Sequence, residues 1–150
     1  KFLTQIKLNQ NLSVTDKKIT RFFTTINLAV KGVLDAITIM KGGEKFIIHN
    51  MLSLNIYDLA KSLKKHFRYN KKIIITGLRD GEKLYEELAS SDEMRNYKIK
   101  KNLIIILNKK QNLSKIKSSK TKKYFLNSRS AKLLKDNLIL KFLKKSQLLQ

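Results

Sequence analysis

The order of apolar patterns along these 150 residues predicts an α/β domain followed by a basic tail. Three observations carry that reading. Short β-branched runs alternate with helix-period segments, the usual mark of an α/β arrangement. Capping residues and glycines fall at the joins between them. Past Asn108 the pattern decays into Lys/Ser/Asn-rich sequence.

Taken in order, Phe2-Leu3-x-x-Ile6-x-Leu8 is an amphipathic opening, and Leu12–Thr15 and Ile19–Phe23 are extended candidates. Thr25 is a suitable N-cap for a helix over Ile26–Met40, with Ile26, Ala29, Val30, Val33, Leu34 and Ile37 as its apolar positions. Gly42-Gly43 stops it. Glu44–Ile48 reads as a buried strand. Asn55 caps a helix over Ile56–Phe67 in which Ile56, Leu59, Ala60 and Leu63 share a face. Lys72–Thr76 is the next strand, broken by Gly77. Leu84–Leu88 fits either a strand or the end of a helical turn, and Ile99–Leu107 is a strand. A last amphipathic helix spans 130–145, with Ala131, Leu134, Leu138 and Phe142 on one face. The division is therefore a domain over 1–108, which opens partway through its pattern and reads as a piece of a longer protein, and a basic tail over 109–150.

Composition narrows the chemistry. A hydrophobic fraction of 42% is that of a globular chain. The absence of cysteine excludes disulfides, thiolate metal sites and a cysteine nucleophile. The longest apolar runs, Ile73–Ile75 and Leu103–Leu107, are too short to span a bilayer. The formal charge of +22 is uneven: residues 98–150 carry 16 Lys/Arg against Asp136 alone, and residues 1–97 carry 17 against 10 acids. Abundant Lys, Asn and Ile with no Pro or Trp fits an AT-rich coding bias, which discounts part of that charge.

The segment with chemical content is Gly77-Leu-Arg-Asp-Gly-Glu-Lys-Leu-Tyr-Glu-Glu-Leu88. An Arg at a strand end presents a rigid fork of donors suited to a phosphate. A glycine lets the backbone turn tightly beside it, and a carboxylate three residues later can accept from vicinal hydroxyls. Arg79, Gly81 and Glu82 thus fit a nucleoside-diphosphate clamp. On chemistry alone they more often make an exposed turn in which Arg79, Asp80, Glu82 and Lys83 solvate and pair with one another.

Gly-x-Arg-x-Gly-Glu-Lys-Leu-x-Glu-x-Leu resembles the closing motif of the nucleotide-sugar 4,6-dehydratases of the extended short-chain dehydrogenase/reductase superfamily. Ser13-Val-Thr-Asp-x-x-Ile-Thr-Arg-Phe-Phe-x-Thr25, Lys41-Gly-Gly-Glu-x-Phe46, Ile56-x-Asp-Leu-Ala60 and Ser91-Asp-Glu-Met94 resemble further segments of that family in the same order. Beyond Met94 only Tyr124-Phe-Leu and Leu133-Leu134 are similar. The resemblance implies the C-terminal, substrate-binding portion of such an enzyme without its Rossmann domain. Arg21 and Arg79 then match arginines that contact the diphosphate of a UDP-sugar, and Glu82 matches the acid that holds the ribose. Asp80 departs from the family, which has Pro or His there. The parent enzyme is expected to be a cytoplasmic homo-oligomer with NADP or NAD that makes surface polysaccharide from UDP-N-acetylglucosamine-type sugars. It would oxidise C4, remove water across C5–C6 and return the hydride to C6. This chain alone is expected to be inactive and to bind no cofactor.

Other residues attract less. None of the five glycines has the phosphate-cradling spacing of a dinucleotide fold. Tyr57 and Lys61 have the Tyr-x-x-x-Lys spacing of the superfamily's catalytic pair but fall in the Ile-x-Asp-Leu-Ala helix, where the family places no such role. His49 and His66 lack partners at metal-ligand or triad spacing. Glu86-Glu87 and Asp92-Glu93 read as turn-solvating acids. The rival function is nucleic-acid binding, through Lys109-Lys110, Lys115–Lys123 and Lys141–Lys145 beside Tyr124 and Phe125, or a helix lying on an anionic membrane with Leu133–Phe142 inward. No recognition motif supports either, so no specific nucleic acid and no membrane contact are expected.

Overall fold

A computed structural model describes residues 1–49, 51–107 and 126–145. The elements are α1 (Phe2–Lys7), β1 (Leu12–Val14), β2 (Thr20–Phe23), α2 (Ile26–Ile37), β3 (Lys45–Ile48), β4 (Leu52–Asn55), α3 (Ile56–His66), β5 (Ile73–Ile75), β6 (Tyr97–Lys100), β7 (Leu103–Ile106) and α4 (Asp136–Lys145). The mixed α/β class holds. Its strands, however, form three small sheets: β1 and β5 pair in parallel, β2 and β4 antiparallel, and β7 lies between β3 and β6 with both pairings antiparallel.

Both long helices start where their caps stand. Thr25 Oγ1 accepts the Leu28 N–H at 3.3 Å, and Asn55 Oδ1 accepts those of Tyr57 and Asp58 at 2.9 and 3.0 Å. Asn55 also donates to the Lys17 carbonyl, which fixes β1–β2 against the start of α3. The end of α3 is a Schellman motif, with Tyr69 N–H on the Lys64 carbonyl and Arg68 N–H on that of Lys65. Arg68 occupies the left-handed position at φ 47°, where glycine is the usual residue.

One face of α3 buries Leu59 and Leu63 with Leu54, Leu134, Ile139 and Leu143, joining it to β4 and α4. Ala60, on an adjacent face, packs with Leu12, Val14 and Ile19 beside the β1–β5 pair. All four residues of β7 are buried, as a central strand covered on both faces requires. Ile104 and Ile106 meet Ile47, Ala89 and Leu126. Across the sheet, Gly32 of α2 lies so close that a Cβ there would come within 3.2 Å of Ile48.

Three expectations change. The strand expected over Ile99–Leu107 is a hairpin, turned at Lys101 with φ 53°. The helix expected over 130–145 begins at Asp136, because residues 132–134 run extended along β4: Ser53 N–H donates to the Lys132 carbonyl, and Leu134 N–H to that of Ser53. Its buried residues are consequently Ile139 and Leu143, while Leu138 is exposed. The apolar stripe of α2 has the expected helical period but faces away from the described chain, with Ile26, Val30, Val33, Leu34 and Ile37 each 50–72% exposed. The inner face instead buries Asp35, which receives Lys101 Nζ at 2.8 Å and Lys31 Nζ at 3.5 Å. The lysine clusters at 109–110 and 115–123, with Tyr124 and Phe125, lie outside the described residues.

Two expectations for stability follow from these geometries. Arg68→Gly relieves a left-handed side chain and should raise unfolding stability by about 0.5–1 kcal/mol, whereas Arg68→Ala should not; urea titration separates the two. The hydrogen bond from Lys101 holds the Asp35 carboxyl below its ordinary value of 3.8. A lowered folded value contributes stability above the unfolded value, lost as pH falls through the folded one. Asp35→Asn should therefore be less stable than the parent chain at about pH 5, with the difference narrowing at about pH 3.

Candidate functional site

The β1–β5 pairing carries the two halves of the site to one place. Thr76 N–H donates to the Val14 carbonyl at the end of the ladder, so the turn after β5 leaves beside Thr15. Gly77 and Gly81 have φ of 84° and 76°, and a Cβ at either would touch nothing within 4 Å. Glycine is needed there for the left-handed backbone rather than for space. Thr20 N–H then donates to the Leu84 carbonyl at 2.8 Å and fastens the segment to β2.

Arg21, Arg79 and Glu82 all line one cavity of about 320 Å³, together with Thr15, Ile19 and Lys1. The carboxylate of Glu82 turns inward. Its Oε1 accepts from Thr15 Oγ1 at 3.1 Å and faces Arg21 Nη2 at 3.4 Å, while its Oε2 accepts the Arg79 N–H at 3.2 Å. The alternative in which Arg79, Asp80, Glu82 and Lys83 pair among themselves is not what forms: Glu82 pairs with an arginine 61 residues away. Asp80 takes part in no ion pair among the described residues, with Arg79 or any other cation.

Arg21 is held at all three nitrogen positions. Nη1 donates to its neighbour's carbonyl, Thr20 O, at 2.8 Å, Nη2 faces Glu82, and Nε lies 3.7 Å from Glu86 Oε1. A guanidinium has five N–H donors. Two are engaged in hydrogen bonds and Nε stands at ion-pair distance from Glu86, which leaves one N–H on each terminal nitrogen without a partner among the described residues. The Arg79 guanidinium makes no hydrogen bond or ion pair among the described residues.

Glu86 corrects the reading of Glu86-Glu87 as turn-solvating acids. Its Oε2 accepts the Phe22 N–H at 2.8 Å, tying the turn to β2. Adjacent acids carry no sequence signal for that role, because Glu86 is bound to β2 through a backbone N–H. Tyr57 and Lys61 are close, but Lys61 Nζ stands over the ring, 5.3 Å from its centroid, and pairs with Asp58 at 2.7 Å. Among the described residues no cluster of His, Asp or Glu suits a metal, and no helix is long and apolar enough to cross a membrane.

Two arginines and an inward-facing carboxylate on an α/β scaffold thus line one cavity. The chain belongs to the polysaccharide biosynthesis protein family, whose model matches residues 1–123. It is 36% identical to an uncharacterized membrane protein of Methanocaldococcus jannaschii, over 93% of this chain and 42% of that protein. It is 40% identical to the UDP-glucose 4-epimerase of Rickettsia bellii, over 62% of this chain and 27% of the enzyme. The X-ray structure of Pen from Bacillus thuringiensis superposes with a TM-score of 0.83 at 33% identity, covering 99% of this chain and 44% of that one. The chain thus spans less than half the length of these relatives.

The Arg21–Glu82 pair is partly buried, with side chains 23% and 22% exposed. At its length and exposure, a double-mutant cycle of Arg21→Ala and Glu82→Gln on unfolding stability should give a coupling of about 0.5–1 kcal/mol. A value near zero would show that Glu82 is not oriented by Arg21.

Proposed function

We propose that this chain supplies the diphosphate- and ribose-binding side of a nucleotide-sugar cleft, in an epimerase- or dehydratase-like enzyme of polysaccharide biosynthesis. The observation that carries the reading is the convergence of Arg21, Arg79 and Glu82, from two segments about sixty residues apart, on one cavity. Arg21 offers its two remaining N–H groups to one phosphate and Arg79 its unengaged fork to the other. Glu82 is placed between them, and its carboxylate keeps an acceptor site beyond those used by Thr15, Arg21 and the Arg79 N–H, open to a ribose hydroxyl. The substrate class we favour is a UDP-N-acetylglucosamine-type sugar, and the reaction 4,6-dehydration. A second reading, 4-epimerisation, is favoured by the relative named UDP-glucose 4-epimerase. The same nucleotide clamp serves both, since the two reactions differ at the sugar.

No cofactor is assigned to these residues. None of the five glycines has the spacing of a dinucleotide-binding turn, and we place any hydride step in the part of the parent enzyme that this chain does not span.

Calorimetric titration of UDP should show saturable binding, and Arg79→Ala should weaken it by about 1.5–3 kcal/mol, the range for hydrogen bonds to charged groups. Duplex DNA in parallel, across a salt series, tests the rival reading. Tight DNA binding at physiological salt with no UDP binding would overturn the proposal.

A further inference from the structure

Ser128 lies 107 residues beyond Arg21, in a stretch where the sequence offers no motif, yet its hydrogen bonds converge on the supports of that arginine. It is fully buried. Its Oγ accepts the Glu86 N–H at 2.8 Å, donates to the Thr20 carbonyl at 3.0 Å and lies 2.9 Å from Thr20 Oγ1. A hydroxyl has one proton to give and two lone pairs. With its proton on the Thr20 carbonyl, Ser128 Oγ receives the Glu86 N–H and the Thr20 hydroxyl, and its capacity is fully used. The Ser128 backbone completes the clasp: its N–H donates to the Glu86 carbonyl at 2.8 Å, and its carbonyl accepts from Ser53 Oγ.

The two groups this serine fixes are the ones that aim Arg21. The Thr20 carbonyl accepts from Arg21 Nη1 as well as from Ser128, and Glu86 carries the carboxylate beside Arg21 Nε and under the Phe22 N–H. We infer that Ser128, with Thr20, is a positioning residue for the diphosphate clamp: it sets the direction of the Arg21 fork without touching the ligand. This rests on the clamp reading above. A bidentate contact tolerates little rotation of the fork, so support behind the first layer of ligands governs affinity.

The test uses the full 150-residue chain, with UDP as the probe and circular dichroism to confirm folding at the titration temperature. Ser128→Ala and the near-isosteric Thr20→Val should each weaken UDP binding about five- to tenfold, the size of one lost hydrogen bond. Thr20→Ser, which keeps the hydroxyl, should bind as the parent chain does. Leu143→Ala, a destabilising change in the α3–α4 core, should also leave affinity unchanged and so separates positioning from general loss of stability. In an Arg21→Ala background, Ser128→Ala should have no further effect on UDP affinity. Additive losses there, or parent-like binding by Ser128→Ala and Thr20→Val while Arg21→Ala binds weakly, overturn this inference alone. A folded parent chain that does not bind UDP removes the clamp reading and this inference together.

Discussion

The three-sided hold on Arg21 is the interaction on which the rest of the site depends. An arginine on a short strand has many rotamers, and ordering it costs on the order of 1.5–2 kcal/mol of side-chain entropy. Here that ordering is supplied by a carbonyl of the same strand and two carboxylates from the turn after β5. Those carboxylates are placed by hydrogen bonds to Thr15, Phe22 and the Arg79 backbone. Behind them, the buried hydroxyls of Thr20, Ser53 and Ser128 join β2, β4, the 84–88 segment and the 126–128 segment at one point. Buried hydroxyls are costly unless satisfied, and mutual satisfaction makes this meeting of four segments specific.

The scaffold explains how segments so distant arrive together. Helix α3 buries side chains into two clusters at once, so β4 and α4 are fixed on one side and β1 on another. The parallel β1–β5 ladder then sets where the turn begins, and Gly77 and Gly81 let it fold back over β2. The two two-stranded sheets are too small to stand alone, and the three-stranded one needs its apolar face covered. Their stability comes from the helices and from the returning 126–145 stretch, which gives Leu134, Ile139 and Leu143 to the cluster under α3 and Leu126 to the one beside β7.

What the sequence made legible was local. Caps at Thr25 and Asn55, the left-handed glycines and the β-branched run of β7 each act through neighbouring residues, so they can be read from a short window. The pairing of Arg21 with Arg79 and Glu82 was legible only through a resemblance, since nothing in either segment alone specifies the other. Strand β4 escaped because Leu52–Asn55 is four residues long and lies immediately before a helix cap. Helical period correctly grouped the apolar residues of α2, but it states which residues share a face, not what lies opposite. Gly32 and the buried Asp35 decide the orientation, through close approach to Ile48 and the Lys101 ion pair. Ser128 was invisible for a plainer reason: a serine in a Lys/Ser/Asn-rich stretch carries no signal until the fold brings it to Thr20.

The high net charge of the chain does not by itself make this cavity an anion site. What counts is the lining, which carries Lys1, Arg21 and Arg79 against Glu82 alone, with Glu86 holding Arg21 Nε from outside it. In the proposed clamp that local excess of positive charge would attract a diphosphate, and directed N–H groups would fix its position. The two arginines supply these unequally. Arg21 is ordered in advance, so little further entropy is lost when its last two donors are used. Arg79 is unengaged and must be ordered by the ligand, which makes its contribution smaller in net terms but leaves it able to follow the phosphate. In the proposed clamp, one rigid and one adaptable arginine would fix where the ligand sits through the first and complete its neutralisation through the second.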